Sequence, residues 1–410
     1  MISIKKSGYL GSRISYLILF LTSFSSQADV VSEWNIITRD IVVNSKLYTP
    51  PANRVMAIVH TAVYASVNSI TQEYPHGSFK LNAHHEASVE AAVAAASYTS
   101  LLKLLPNQQD AIKTAYLQAL SHLPEGKAKQ AGAAIGKKSA ELVLAARNFD
   151  GAEVAETYRP YTRAGVYVPT AIPAVPHWPN RMPWLLNSPA QFRPGPPPAL
   201  NSKEWAKDYE EVKLMGAKNS SKRNQQQTDM AKFWEATLPP IYHGVVHSVA
   251  NQAGRSVTQN ARLFAKITQA IDDAMLSVFD AKYHYGFWRP ITAIRNGDID
   301  GNDATEKGEG WTPFIPTPMH PEYPCAHCVV AGTVGAILKA EVGNGKMPLL
   351  TTNSDTAKGA TRSWSSIEAF VQEVSDARIY DGVHYRTSTD IGSAMGEKIG
   401  EFVVEKYLKN

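Results

Sequence analysis

Three stretches of this chain combine histidines and cations in spacings suited to binding an oxyanion. The first, 320–328, reads HPEYPCAHC and places His327 between the chain's two cysteines. An apolar run over 329–340 follows and predicts a helix. The turn before a helix offers free backbone N–H groups and the positive end of the helix dipole. This stretch therefore predicts an anion site at His327. The alternative is a hydrogen-bonded core histidine.

The second stretch, 282–290, reads KYHYGFWRP and carries two cations among four aromatic residues. Lys282 and Arg289 are seven positions apart, so on one continuous helix they would share a face. The aromatic surroundings favour partly buried cations, which require an anionic partner. The alternative is a pair of surface side chains whose stems lie along apolar neighbours.

The third stretch, 376–386, reads DARIYDGVHYR. A helix is expected over 366–380 and ends at the following Asp-Gly pair. Thr387 and Asp390 have the spacing of a capping box, which predicts a last helix over 391–408. Arg378 would then end one helix and His384 would follow the turn, where side chains can converge on a ligand.

The rest of the chain predicts helices that position these stretches, and no convincing run of paired strands. The predicted helices cover 52–70, 84–105, 107–123, 127–146, 202–214, 221–236 and 259–280. Prolines recur over 152–200, together with Trp178 and Trp184. Because aromatic residues are rare in free linkers, this segment is expected to be an ordered crossover on the surface. The fold class predicted from the pattern is all-α.

The first 28 residues have the pattern of a secretory signal peptide. A charged start precedes an apolar core at 14–21, which is too short to span a bilayer, and Ser26-Gln27-Ala28 supplies small residues for cleavage. We expect an exported protein, periplasmic or secreted, that begins near Asp29. The alternative is an uncleaved anchor. No later stretch is long and apolar enough for a membrane helix, so no stable membrane insertion is expected.

Composition indicates a globular chain without a nucleic-acid surface. Hydrophobic residues make up 44% of the 410 residues, enough to bury a sizeable core. The formal charge is +4, and it falls to +1 without the three cations of the signal segment. A balance so close to zero, without a long basic run, does not suggest a nucleic-acid surface, and no nucleic-acid partner is expected.

Together the three stretches resemble the signature of the vanadium-dependent haloperoxidases and of the type 2 phosphatidic acid phosphatase superfamily that shares their fold. That signature is Lys, six residues, Arg-Pro; then Pro-Ser-Gly-His; then Ser-Arg, five residues, His, three residues, Asp. This chain has Lys282 and Arg289-Pro290, then Pro324 to His327, then Arg378 and His384, at the same spacings. The segments KYHYGFWRPITAIR and QQQTDMAKFW are most similar to the bacterial haloperoxidase-like branch.

The resemblance implies an all-α fold of helical bundles, with the anion site in the core of the C-terminal bundle. It implies a single haloperoxidase-like domain over 29–410. Within it, 29–250 would hold the N-terminal helices and the Pro-rich crossover, and 251–410 the core bundle with the active site.

The resemblance also implies roles for the site residues. Vanadate would be bound by side chains and amides of the three stretches and by a metal–nitrogen bond to His384. His327 would handle protons while hydrogen peroxide oxidises a halide or a small organic substrate. In the alternative, phosphate is bound and His384 is the nucleophile of a phosphatase that forms a phosphohistidine, with His327 protonating the leaving group. The predicted anion-binding residues are Lys282, Arg289, Cys325, Ala326, Arg378 and His384.

The chain departs from the family signature at four positions. Cys325 replaces the serine and donates hydrogen bonds more weakly, whereas Ala326 replaces the glycine and keeps its N–H. Ala377 precedes the third-stretch arginine, and Ser388 stands at the position of the final aspartate. These departures leave the predicted fold unchanged and weaken the expected oxyanion binding.

Two further hypotheses concern the cysteines and a histidine pair. Cys325 and Cys328 form a C-x-x-C sequence, which in an exported protein allows a disulfide, and a redox or non-catalytic anion-binding protein is the third hypothesis. His243 and His247 have i, i+4 spacing but no glutamate between them, so they predict a zinc site only weakly. The sequence also allows a homodimer.

Overall fold

The structure is a computed structural model that describes residues 29–75 and 77–409. The predicted signal peptide, 1–28, lies outside the described residues. The α-helices of the described chain are α1 (Val30–Asn44), α2 (Thr49–Thr71), α3 (Val89–Leu104), α4 (Gln109–Ser121), α5 (Lys127–Ala146), α6 (Lys203–Met215), α7 (Gln225–Trp234), α8 (Pro240–Ala250), α9 (Val257–Tyr285), α10 (Pro290–Arg295), α11 (Ala326–Val342), α12 (Ile367–Tyr380) and α13 (Arg386–Lys409). The predicted all-α fold class is confirmed. No helix in these two ranges combines the length and apolarity needed to cross a bilayer.

One antiparallel hairpin interrupts the helical architecture, so the expectation of no paired strands was wrong. Its strands are β1 (Leu350–Ser354) and β2 (Ala360–Trp364), with Leu350 paired to Trp364. The hairpin packs against α8, where a Cβ on Gly244 would lie 2.0 Å from the hydroxyl oxygen of Thr352. The strands are short and rich in Ser, Thr and Asn, so they lack the apolar alternation that identifies a strand in sequence.

Helix α9 is the central element, and it carries Lys282 near its end. Ser256 and Gln259 form a capping box at its start, and Gly286 ends it in the left-handed conformation with φ 57°. The helix is buried along most of its length and packs against α2 on one side and α11 on another. A helix buried on several sides is held firmly, so its C-terminal end is a fixed platform for the site.

The crossover between α5 and α6 is bound to α9 by carboxylates. Arg181 donates to both carboxylate oxygens of Asp272, at 2.8 and 3.0 Å, and both groups are fully buried. Asp273 accepts from three successive backbone amides, those of Trp184, Leu185 and Leu186. Arg193 forms a bidentate pair with Asp280 at 2.7 Å. These bonds explain how a proline-rich segment can be ordered without regular secondary structure.

Helices α11 and α13 approach each other closely because glycines line their contact. A Cβ on Gly396 would lie 2.0 Å from the carbonyl oxygen of Val329, and one on Gly332 would lie 2.4 Å from that of Ser393. Since real Cβ atoms do not come this close to other atoms, only glycine fits at these two positions. The close packing fixes the start of α11 beside the start of α13, where two of the site stretches lie.

Candidate functional site

Lys282 and Arg289 reach the same segment of chain from two different helices. The expectation that they share one helix face was wrong, because α9 ends at Tyr285 and Arg289 is the N-cap of α10. Gly286 turns the chain between them. The segment after this turn is held by the crossover, since Tyr167 donates its amide to the carbonyl of Gly286 at 2.7 Å and Trp288 donates to that of Gly165 at 3.1 Å.

Lys282 is fully buried and binds backbone carbonyls of the first stretch. Its Nζ donates to Pro321 at 3.1 Å, to Glu322 at 2.7 Å and to Pro324 at 2.6 Å. The three N–H donors of the ammonium group are therefore all used in hydrogen bonds to backbone carbonyls. The ammonium group shapes the chain that leads to His327.

Arg289 links the first stretch to the third. Its Nε donates to the carbonyl of His320 at 3.0 Å and its Nη1 to that of Val383 at 2.7 Å. The same Nη1 lies 3.3 Å from Nε2 of His384, and Nη2 lies 3.0 Å from Nδ1 of His320. The guanidinium group thus stands directly beside the histidine that is expected to bind the anion.

The other ring nitrogen of His384 contacts a buried carboxylate. Nδ1 lies 2.6 Å from Oε1 of Glu322, and that oxygen also accepts the amide of Tyr385 at 3.2 Å. Glu322 is fully buried, and His384 is 2% exposed. His384 therefore has a carboxylate on one nitrogen and a guanidinium group on the other.

Arg378 lies in the last turn of α12, as predicted, and is buried. Its Nη1 donates to the carbonyl of Trp234 at 2.6 Å and lies 2.5 Å from Oδ2 of Asp381. Its Nε is buried without a hydrogen-bond partner among the described residues. Asp381 therefore compensates part of the charge, and one donor of the guanidinium group stays free for a ligand.

The first turn of α11 contains both cysteines and the amides expected to bind the anion. Cys325 is the N-cap, and its sulfur forms a disulfide with Cys328 and accepts the amide of Cys328 at 3.2 Å. In this form Cys325 has no S–H to donate. The amides of Ala326 and His327 open the helix, where no intrahelical acceptor exists for them. The backbone contribution predicted for Ala326 is therefore available at this position.

His327 is held through one nitrogen and free at the other. Its Nδ1 lies 2.7 Å from the hydroxyl oxygen of Tyr242, which also lies 3.1 Å from the backbone carbonyl of His327. Its Nε2 is buried and has no hydrogen-bond partner in the described part of the chain. A fixed ring with a free nitrogen is suited to exchanging a proton with a bound ligand.

Burial makes every charge in this site costly. It lowers the pKa of Lys282 well below its ordinary value, and the charge of Arg289 lowers it further. The pKa of Arg289 falls to about 10, again through burial. Burial also lowers the pKa of His327 and that of His384 well below their ordinary values, with the charges of nearby cations acting in the same direction. Both histidines are therefore neutral at pH 7.

Two buried carboxyl groups show the opposite shift. Burial raises the pKa of Glu322 to about 7, while the nearby charges of Lys282 and Arg289 lower it. Burial likewise raises the pKa of Asp381 to about 7, opposed by the charge of Arg378. The site therefore brings three basic side chains together with two carboxyl groups whose ionised form burial disfavours. An excess of positive charge in a buried site favours an anionic ligand.

The start of the last helix differs from the sequence prediction. Helix α13 begins at Arg386, so Thr387 and Asp390 lie inside it and do not form a capping box. The amide of Thr387 instead donates to the carboxylate of Asp208 on α6, at 3.2 and 3.3 Å. Asp208, which is distant in sequence, therefore accepts the backbone amide that a capping box would have paired with Asp390.

Sequence reasoning assigned no role to four residues that the structure places around the site. These residues are Trp234, Tyr242, Glu322 and Asp381. A carboxylate between two prolines, in an apolar and aromatic context, indicates a buried acid that needs a partner, and this pattern could have identified Glu322. The i, i+3 spacing of Arg378 and Asp381 likewise fits the ion pair that they form. Trp234 and Tyr242 contact the site through tertiary packing alone, which leaves no pattern in the sequence.

The histidine pair of α8 belongs to a separate buried cluster. His243 and His247 both contact the side-chain amide of Asn35, and His60 contacts it at 2.8 Å. Among the residues that the structure describes, no group of three or more His, Cys, Asp or Glu side chains is arranged to hold a metal ion. The cluster is a hydrogen-bonded network in the protein core.

Comparison with known proteins shows likeness in part of the sequence and in the fold. Residues 262–410 match the family profile described as the VCPO second helical-bundle domain. The vanadium chloroperoxidase of Curvularia inaequalis is 30% identical over 170 residues, which cover 34% of this chain and 28% of that protein. The match thus spans just over a quarter of the relative's length.

Solved structures share the fold over nearly the whole chain. The crystal structure titled as the first bacterial vanadium-dependent iodoperoxidase superposes with a TM-score of 0.78 at 23% identity, covering 92% of this chain and 96% of that one. A holo-type bacterial vanadium-dependent chloroperoxidase gives a TM-score of 0.70 at 16% identity, covering 89% and 94%. The chain is therefore similar to vanadium haloperoxidases in the sequence of residues 262–410 and in the fold of nearly the whole chain. Relative to the signature that the three stretches resemble, this chain has a disulfide at the start of α11 and Ser388 at the position of the final aspartate.

Proposed function

We propose that this protein is a vanadate-dependent haloperoxidase that oxidises halide with hydrogen peroxide. The observation that carries the proposal is the arrangement at His384. A buried neutral imidazole has its Nδ1 bound to Glu322 and its Nε2 3.3 Å from the guanidinium group of Arg289. Such a nitrogen, beside a cation, suits an anion that accepts both a coordinate bond and hydrogen bonds.

The buried donors fit a tetrahedral oxyanion such as vanadate. Nε of Arg378 has no partner in the described residues, and the first-turn amides of α11 lie at the positive end of a helix dipole. The Cys325 sulfur is occupied by the disulfide, so its side chain adds no donor in this form. Oxyanion binding then rests on the two arginines and the backbone amides, with Lys282 contributing charge.

Each residue of the site has a separate task in this proposal. Arg289 and Arg378 would hold the oxyanion, and Nε2 of His384 would bind it. His327 would hold or release a proton at its free Nε2. Vanadate, when bound, supplies Lewis-acid activation of hydrogen peroxide. Because the site lies in the protein core, bulk water is largely excluded and the electrostatic contacts are strong.

The test is a halogenation assay on the purified protein. Orthovanadate, hydrogen peroxide and either bromide or iodide are added, and halogenation of an indicator dye is followed. We expect turnover that requires both vanadate and peroxide. Hydrolysis of a phosphate ester is measured in parallel without vanadate. Ester hydrolysis that vanadate inhibits, with no halogenation, would assign the site to a phosphohistidine phosphatase.

We also propose that the protein acts outside the cytoplasm. The support is the charged start, short apolar core and small residues within 1–28. Mass spectrometry of exported protein should show a chain that begins near Asp29, and retention of the first 28 residues would contradict this. A homodimer stays a prediction.

A further inference from the structure

We propose that Glu322 is the positioning residue of this site: its carboxylate orients His384 and keeps Nε2 as the unprotonated, anion-binding nitrogen. The inference rests on the proposed function for the identity of the anion. The pairing itself is a property of the chain and can be tested without catalysis.

The contacts of His384 define which of its nitrogens carries the proton. Arginine has only donors, so the imidazole nitrogen that faces Nη1 of Arg289 at 3.3 Å must accept. In a neutral ring the other nitrogen, Nδ1, then carries the hydrogen and donates it to Oε1 of Glu322 at 2.6 Å. Arg289, a donor, and Glu322, an acceptor, thus both favour the tautomer with the proton on Nδ1. In this tautomer the lone pair of Nε2 faces Arg289.

Glu322 is itself fixed by contacts with each of the other two stretches. Its backbone amide donates to the carbonyl of Phe287 at 2.9 Å, and its carbonyl accepts from Nζ of Lys282 at 2.7 Å. Its side chain accepts the amide of Tyr385 as well as Nδ1 of His384. A residue held at both backbone groups presents its carboxylate in one orientation, so the imidazole plane is fixed relative to Arg289.

The residue that replaces the aspartate of the family signature makes this role more important. Ser388 is buried one turn after His384 and close enough to Glu322 to affect its pKa, but it has no carboxylate. His384 therefore depends on Glu322 for its carboxylate partner. A carboxylate that accepts from the other ring nitrogen of a metal-binding histidine orients the ring and makes the coordinating nitrogen more basic.

The tautomer is tested first in the wild-type protein. Ring-nitrogen chemical shifts are recorded on protein labelled with ¹⁵N histidine, and His384 is assigned from the signals missing in His384→Gln. We expect a protonated Nδ1 and an unprotonated Nε2. A protonated Nε2 in the neutral ring would overturn the proposal, whatever any variant does.

Anion binding is then compared between variants by calorimetric titration with orthovanadate and, separately, with inorganic phosphate. Glu322→Met removes the acceptor, and we expect its Kd for vanadate to rise on the order of 10- to 100-fold, with a mixture of His384 tautomers. Glu322→Gln keeps one acceptor oxygen, so its loss of vanadate affinity should be smaller. Glu341→Met is the matched control, because Glu341 lies at the far end of α11 and binds Arg255 and Lys266.

The outcomes separate the role of Glu322 from the identity of the enzyme. Folding of each variant is checked by thermal unfolding, and Glu322→Gln serves alone if Glu322→Met does not fold. Unchanged vanadate affinity and an unchanged tautomer in a folded Glu322 variant would overturn the positioning role. Wild-type protein that binds neither anion would refute the proposed function, while the ring-nitrogen shifts would still decide the role of Glu322.

Discussion

At the scale of single residues, the site divides its cations between structure and binding. Lys282 gives its three donors to carbonyls of 321–324, whereas Arg378 keeps Nε free of partners in the described chain. The lysine therefore shapes the first stretch and contributes charge at a distance. The arginines carry the planar forks that match an oxyanion.

His384→Ala should abolish both vanadate binding and turnover. The variant removes the nitrogen that we propose binds the anion, and it leaves Glu322 buried without its partner. Halogenation rate and calorimetric vanadate affinity are the measurements, with exposed His122→Ala as the control. Near-normal turnover of His384→Ala would mean that the site is wrongly assigned.

Cys325→Ser should tighten vanadate binding by about 0.5–1.5 kcal/mol, the net contribution of one hydrogen bond. The disulfide leaves Cys325 without a donor, whereas a serine hydroxyl can donate to an oxyanion. The Kd for vanadate is compared with that of Cys328→Ser, which also breaks the disulfide but keeps sulfur at 325. Equal Kd values for the serine form and wild type would show that the side chain at 325 points away from the anion.

The sequence predicted the identity of the charged residues better than their contacts. Lys, Arg and His at fixed spacings identify three stretches because the residue types themselves have the chemistry. The pairing of Glu322 with His384 joins positions 62 apart, and that of Tyr242 with His327 joins positions 85 apart. Only the packed fold brings such residues together, so no local pattern could have shown these pairs.

At the scale of elements, the contact between α11 and α13 positions two of the three stretches. Glycines bring the backbones together near the start of each helix, where His327 and His384 lie. A small displacement along this contact would move the two histidines relative to each other.

Gly396→Ala should destabilise the protein by about 1–3 kcal/mol, the usual cost of overpacking a core. The added methyl group would meet the carbonyl oxygen of Val329 at 2.0 Å. Urea unfolding gives the free energy of unfolding. Gly310→Ala is the control, since Gly310 is exposed and a Cβ there has no neighbour within 4 Å. Equal free energies of unfolding for Gly396→Ala and Gly310→Ala would show that α11 and α13 can move apart without loss of stability.

Element prediction succeeded where apolar periodicity was long and failed at local departures from it. The long helices were expected because their buried faces repeat at helical spacing. The end of α9 at Gly286, between the two cations of one motif, was missed because the motif suggested continuity. The hairpin was missed because its strands are polar and only five residues each.

At the scale of the whole molecule, a network of histidines around Asn35 joins α1, α2 and α8. Burial lowers the pKa of His60 to about 3 and that of His247 to about 4, and it lowers the pKa of His243 well below its ordinary value. The positive charge of Arg39 acts in the same direction on His243 and His247. These rings are neutral in the folded protein and protonate first in the unfolded chain.

The network should therefore stabilise the protein above about pH 6.5 and lose this contribution as the pH falls towards 4. Buried acids such as Asp273, whose pKa burial raises to about 6, act in the opposite sense, so the test is a difference between variants. The stability of wild type relative to His247→Gln should fall between pH 6.5 and 4, by at most about 1.4 kcal/mol per pH unit.

Urea unfolding at several pH values measures this difference, with exposed His122→Gln as the control. Parallel pH profiles for wild type and His247→Gln would show that His247 is protonated in the folded protein as readily as in the unfolded chain.

The bonds between the crossover and α9 join two segments that are synthesised at different times. Arg181 leaves the ribosome 91 residues before Asp272, its buried partner. At about 5–20 residues per second, the crossover waits roughly 5–20 s for the helix that will hold it. Its frequent prolines prevent it from forming a helix or joining a sheet during that interval. Until α9 has been synthesised, the crossover therefore lacks the carboxylates that bind it in the folded protein.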